Sequence, residues 1–399
     1  MKNSNLVFGT LILAITALAS CGKDEVQDPI LPTEPSGNVV VTGNISSNTT
    51  WTADKIYQLG GRITVLDGVT LTIEPGTIIK GEAGTGANAT ALLIARGGKL
   101  DAQGTASKPI IFTSVADEID IEDINAGNFQ SPNLEADVNG LWGGVIVLGR
   151  AKISASNDNG DISEVQIEGI PTSDPNGLYG GNNDADNSGT IKYVSIRHGG
   201  TNIGAGNEIN GLTLGGVGSG TVIENIEIVG NQDDGIEWFG GAVNVSNVVV
   251  WNCGDDGIDT DQSWSGTLDN FVVIGSTGHS FELDGPEGSY QSGHTIKNGS
   301  IKATFGGRVS EDLINVDDNS IVNLQNLYFT DAVDGNKINR VTAAGVTFTD
   351  ITINVPADSI PNFVNGAVPA GVSSGSTPKA NISGLGWTWA SQAGGFSGL

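Results

Sequence analysis

Glu237, Asp259 and Glu282 recur at intervals of 22 and 23 residues, Asp234 and Asp256 at 22, and Asp261 and Asp284 at 23. Carboxylates repeated in this way do one of two kinds of chemistry. They hold a hard divalent cation through oxygen ligands, or they act as an acid and base pair on a glycosidic bond. Stacked about 5 Å apart, they repel by roughly 3 kcal/mol per pair at an effective dielectric of 20. Bound Ca²⁺, protonation of some members, or splaying into solvent must relieve that repulsion. On the cation reading the ligands are Glu237, Asp259, Asp261, Glu282 and Asp284. The bland alternative is a solvated acidic face on an acidic chain.

Asp184-Ala185-Asp186-Asn187-Ser188-Gly189 has the alternating oxygens and the tight-turn Gly that open an EF-hand-type loop. Ser195 stands where that loop needs its glutamate, so Asp184 and Asp186 form a partial Ca²⁺ site or a plain Asx-rich turn. Trp238, Phe239, Trp251 and Trp264 lie beside the acidic columns. Trp238 and Phe239 are adjacent, so one faces the core and the other can stack on a sugar; sugar contact is assigned to Trp238 and Trp264. His198, His279 and His294 show no metal-ligand spacing, and Cys253 reads as a small buried hydrophobe.

The positioning elements must be short strands. Lys+Arg 18 against Asp+Glu 45 gives a net charge of −27, which excludes a nucleic-acid partner. Helical periodicity is almost absent; runs such as Ile63-Thr64-Val65-Leu66 and Val145-Ile146-Val147-Leu148 end in Gly, Asn or Asp. Asn225, Asn247, Asn270, Asn298 and Asn326 follow one another at 22, 23, 28 and 28 residues. That period is one coil of an all-β, single-domain, right-handed parallel β-helix, with the asparagines stacked as a hydrogen-bonded ladder. The solenoid is expected over 43–399, with insertions near 116–140 and 172–188. Trp387, Trp389 and Phe396 are expected to cap its last coil.

The start of the chain reads differently. Leu6 to Ala19 is an apolar run of signal-peptide length, too short to span a bilayer. Leu18-Ala19-Ser20-Cys21 resembles a bacterial lipobox, which implies a signal peptide over 1–20 and lipidation of Cys21. Gly22-Lys23-Asp24-Glu25 resembles the export signal of Bacteroidetes surface lipoproteins. Residues 21–42, with Pro29, Pro32 and Pro35, read as the lipidated start and a flexible tether. The expected location is the outer membrane, lipid-anchored and facing the medium, with no other membrane contact.

Two further resemblances bear on function. Gln232-Asp233-Asp234, Asp255-Asp256, Gly278-His279-Ser280 and Ser300-Ile301-Lys302 resemble, in order and spacing, the motifs of polygalacturonases within the pectin-lyase-like superfamily. That resemblance implies acid/base roles for Asp234, Asp255 and Asp256, and substrate-carboxylate contacts for His279 and Lys302. Ser300 replaces the family's arginine and Ser280 its second glycine. Thr70-Leu71-Thr72-Ile73-Glu74-Pro75-Gly76-Thr77, Trp142-Gly143-Gly144 and Asp233-Asp234-Gly235-Ile236-Glu237-Trp238-Phe239-Gly240-Gly241 resemble a group of Bacteroidetes β-helix surface lipoproteins, which implies no particular activity. The expected function is binding of an extended ligand, a glycan, along a Ca²⁺-loaded acidic face, as accessory subunit to outer-membrane transport proteins. The alternatives are a hydrolase or lyase of acidic polysaccharides and a structural surface protein with no ligand.

Overall fold

The structure is a computed structural model that describes residues 37–84, 86–204, 207–317 and 319–399. Cys21 and the signal-peptide segment lie outside the described residues. Among the described residues no helix is long and apolar enough to cross a membrane.

The chain winds into a parallel β-helix. An 8-stranded parallel sheet runs from Ile63–Val65 through Leu92–Ile94, Val145–Leu148, Leu212–Gly215, Ile236–Phe239, Ile258–Asp261 and Phe281–Leu283 to Asn315–Val316. A 15-stranded sheet makes the opposite walls, with the strands Gly189–Arg197, Val222–Val229, Val245–Trp251, Thr267–Ile274, His294–Lys302, Ile321–Thr330 and Gly345–Ile353 paired in parallel. Val39–Val41 already pairs with Ile56–Leu59, so the first coil begins inside the segment read as tether. One continuous apolar column fills the axis, with Ile236, Trp238, Ile258, Phe281, Leu283 and Val316 supplied by the 8-stranded sheet.

The asparagine period marks a bend. Asn225, Asn247, Asn270, Asn298 and Asn326 all have φ between 53° and 61°, in the left-handed region. Asparagine reaches that region more readily than other non-glycine residues because its short amide bonds locally. Tyr193 and Asp350 continue the column at φ 50° and 54°. The amide ladder is discontinuous: Asn270 donates to Asn247 at 2.8 Å and Asn326 to Asn298 at 2.7 Å, but Asn298 donates to Asp269 at 2.6 Å.

Two expectations about the ends and insertions need correction. The second insertion starts directly after Val145–Leu148 rather than near 172; it pairs Ala155–Asn157 with Gly160–Ile162 and Val165–Gln166 with Leu178–Tyr179. The C-terminal tail does not cap the last coil. It runs back across the outer face of the 15-stranded sheet, where Leu385, Trp389 and Phe396 pack on Val229, Val249, Trp251, Val272 and Ile274. Trp387 reaches Ile78, Ile111 and Phe129 of the early coils and first insertion. The long sheet's outer face is apolar at these positions, and covering it removes more apolar surface from water than a cap on one coil could.

Candidate functional site: a buried carboxylate ladder

Strand alternation sends Ile236 and Trp238 inward and Glu237 and Phe239 outward. The register then sets Thr213, Glu237, Asp259, Glu282 and Asn315 side by side on the outer face of the 8-stranded sheet. Earlier in the stack the same column holds Ile146 and Leu93. The second insertion lies over that apolar part: Ile153, Ala155, Ile167, Ile170 and Tyr179 pack on Leu93, Ile146, Leu148 and Phe239. The acidic part is buried as well, and Glu237 and Asp259 keep only 7% and 9% of their surface exposed. These are not splayed, solvated carboxylates.

A second acidic column runs along the preceding turn. Asp234 Oδ1 accepts the Asp256 amide at 2.9 Å, and Asp256 Oδ1 accepts the His279 amide. His279 Nδ1 lies 3.2 Å from Asp256 and 3.8 Å from Glu282, and its Nε2 faces Asn315 at 3.3 Å and Asp312 at 4.0 Å. The acidic side chains gather into three groups whose ligand atoms lie within 4.8 Å of one another: Asp234, Glu237 and Asp259; Asp256, His279 and Glu282; Glu208, Asp233 and Asp255. Asp261 and Asp284 fall in none of them.

Burial, then mutual repulsion, raises the carboxyls. Asp234, Glu237 and Asp259 stand well above the usual carboxylate range, for loss of solvation and then for the charges of neighbouring acids. Asp261 and Glu282 are pushed up to about 8, Asp233 to about 9, and Asp255 to about 6, with loss of solvation the first cause in each. Burial pulls the His279 imidazole down, but its hydrogen bond to Asp256 and the charges of Asp256, Glu282 and Asp312 outweigh that and raise it to about 9. Asn210 donates to Glu237 through Nδ2. Its Oδ1, and Asp259 Oδ1, are buried with no partner among the described residues. Buried oxygens without donors carry a full desolvation cost, and a hard cation is the partner that suits such a set.

Several expected site residues lie elsewhere. Trp238 and Trp264 are buried in the axial core at 0% and 1% exposure, stacked on each other at 4.7 Å, so neither is a sugar platform. Lys302 sits on the opposite sheet under the tail, donating to the Gly395 carbonyl at 2.9 Å and the Ser397 carbonyl at 2.5 Å; it cannot meet a ligand of the acidic ladder. Asp184 is taken by Lys152, whose amide and Nζ both donate to it at 3.0 Å, and Asp186 accepts the Arg150 amide at 3.1 Å. Ser195 is bonded to Glu227 on the far sheet at 2.6 Å, so the segment is a turn without a sixth ligand.

Other residues at the site escape the repeat. Glu208 arrives on the hairpin Thr201–Gly204 and Asn207–Ile209, and Glu168, raised to about 7 chiefly by burial, comes from the second insertion. Neither lies in a coil, so spacing gives no signal for them. His279 does join a ligand group, with Glu282 three residues on and Asp256 a coil back in sequence.

The fold and this strip together define a parallel β-helix that carries a stacked, partly enclosed carboxylate face. Residues 43–127 and 129–368 match the model of the pectate-lyase-like beta helix domain, and the chain belongs to that family of right-handed parallel β-helices. No curated protein and no solved structure matches the chain.

Proposed function

We propose that this chain is a lipid-anchored cell-surface protein that binds an acidic glycan through Ca²⁺ held on the carboxylate ladder. One observation carries the reading. Two successive coils bring Asp234, Glu237 and Asp259 within 4.8 Å of one another, with Asp259 Oδ1 buried and unpartnered among the described residues. Bound Ca²⁺ relieves the repulsion and supplies that partner. A chain of net charge −27 repels an acidic polymer unless cations bridge the two. The neighbouring group of Glu208, Asp233 and the exposed Asp255 offers the outer ligands for such a bridge. Lipid on Cys21 would hold the protein at the outer membrane, where transport proteins that import the glycan are its natural partners.

The test is thermal unfolding of the purified protein in EDTA and in millimolar Ca²⁺, followed by calorimetric titration with oligogalacturonate under both conditions. A site filled at 100 times its Kd adds about 2.7 kcal/mol. An upward shift with Ca²⁺-dependent binding supports the proposal; no shift and no binding overturn it.

A hydrolase or lyase is the second reading, with Asp234, Asp255 and Asp256 as acid/base groups. It is favoured by Asp255, exposed and raised to about 6 by partial burial and by Asp256, and by the His279 beside Asp256. Against it, Asp234, Asp255 and Asp256 each fall in a different one of the three groups. Release of reducing ends or of unsaturated products from polygalacturonate, lost in Asp255→Asn, would favour catalysis.

A further inference from the structure

A cleft of about 540 Å³ opens on the other side of the coil turn from the carboxylate ladder. Its walls come from three parts of the chain outside the regular coils: residues 130–137 of the first insertion, the hairpin of Thr304–Phe305 with Arg308–Val309, and the C-terminal tail at Trp389 and Ala393. The coil itself contributes Trp251 and Asn252.

Three aromatic rings meet there. Trp251 packs edge to face with Phe305 at 6.2 Å and with Trp389 at 5.9 Å. The Trp251 indole N–H is buried without an acceptor among the described residues, which is costly for a rigid, well-packed group. The volume lies within the range of small-ligand sites, roughly 300–1,000 Å³.

Charge narrows the ligand. Arg308 is the one cation of the lining, and it is committed: Nη1 donates to the Cys253 carbonyl at 3.0 Å and to Thr277 Oγ1 at 3.2 Å, and Nη2 to the Asp137 carbonyl at 3.3 Å. Glu135 and Asp137 add negative charge. One guanidinium against the carboxylates of Glu135 and Asp137 leaves the lining net negative, which disfavours a carboxylate or phosphate and favours an uncharged occupant. Trp251 and Trp389 are buried behind the cleft, so Phe305 is its accessible ring; with the amides of Gln130 and Asn252 it suits a molecule with apolar C–H faces and a rim of hydroxyls.

We propose that this cleft binds a neutral pyranose residue of a glycan, at a site separate from the acidic ladder. Asn252 precedes Asp255 by three residues, so the two sites are at most about 11 Å apart along the turn. The proposal does not require the ladder to bind Ca²⁺.

The experiment is calorimetric titration of the purified protein, in EDTA throughout, with tetrasaccharides of glucose, galactose, xylose and mannose, and with tetragalacturonate as the charged control. Saturable binding of at least one neutral tetrasaccharide is expected, with tetragalacturonate at least tenfold weaker. Phe305→Ala removes one ring from an exposed hairpin and should weaken binding at least tenfold. Asn252→Gly should do so several-fold while keeping the left-handed backbone, φ 63°, that this position needs. If the melting curve shows that Phe305→Ala does not fold, Asn252→Gly decides. Absence of binding up to 10-millimolar order across the panel overturns the proposal. So does binding that both folded variants retain, preference for tetragalacturonate, or binding that appears only when Ca²⁺ replaces EDTA, which would assign the sugar to the ladder.

Discussion

Asp234 accepts the backbone amide of Asp256 one coil further on at 2.9 Å, and the contact repeats where Asp256 accepts the amide of His279. Asp312 does the same for Lys337 at 2.8 Å. Each carboxylate is thereby pinned to the backbone of its neighbour and cannot swing into water. The column holds its charge in place at a cost that the fold must offset or that a ligand must remove.

That cost sets a pH dependence. A carboxyl whose folded pKa exceeds its unfolded value binds its proton more tightly in the fold. Its contribution to stability is complete below about pH 4 and is lost as pH rises through the folded value. For Asp261 and Glu282 that value is about 8, and for Asp233 about 9. The His279 contribution is complete below about pH 6.5 and lost through about 9, the same direction. In EDTA, Tm should therefore fall steadily from pH 5 to pH 9. A flat or rising profile would mean that these groups are solvated.

Calcium should reverse part of that slope, and the neutral isosteres locate where. Asp259→Asn should raise Tm in EDTA at pH 8, because it removes a carboxyl whose ionisation burial opposes and keeps the shape. It should also abolish the Ca²⁺-induced shift. Glu237→Gln should behave alike. Differential scanning calorimetry with and without Ca²⁺ separates the two effects, and a Ca²⁺ shift unchanged in both variants would place the ion elsewhere.

Arg197 and Glu227 form an ion pair at 3.6 Å with no exposure of either side chain, closed over by the tail, where the Ala390 amide donates to Glu227 Oε1 at 2.9 Å and Trp389 lies 5.1 Å from the guanidinium. Glu227→Ala leaves a buried, uncompensated cation and should cost about 3–5 kcal/mol. The double variant Arg197→Met, Glu227→Leu should recover most of it. Urea unfolding of the three proteins checks this.

The bend column makes a finer prediction. At Asn225, φ 58°, alanine should cost about 1–2 kcal/mol and glycine much less. Equal losses for the two would mean that the amide's hydrogen bonds, rather than its backbone freedom, hold the position.

The coils were readable because a solenoid writes its geometry as a period. The spacing of Asn225, Asn247 and Asn270 locates a bend, and that of Glu237, Asp259 and Glu282 locates a true column in register. What spacing cannot carry is direction. Trp238 and Phe239 had to face opposite ways, but only the packing of Trp238 on Trp264 decides which is core. Nor does a period describe what lies over it. The second insertion, Glu168, Glu208 and the tail over Lys302 are all non-repeating; Glu168 and Glu208 add charge beside the acidic strip, while the tail covers the opposite sheet.

The returning tail also changes how the solenoid can come apart. In a simple stack each coil contacts only its neighbours, and the terminal ones can fray singly. Here the amides of Lys379 and Ala380 donate to Ser300, Asn381 is bonded to Asn270, Ala390 to Glu227, and Gln392 to Phe129. One segment thus spans coils separated by more than a hundred residues of sequence, as a splint does a row of slats. The last coils cannot peel away until it lets go, and its release strips support from the middle of the stack as well, so the C-terminal end and the centre should open together.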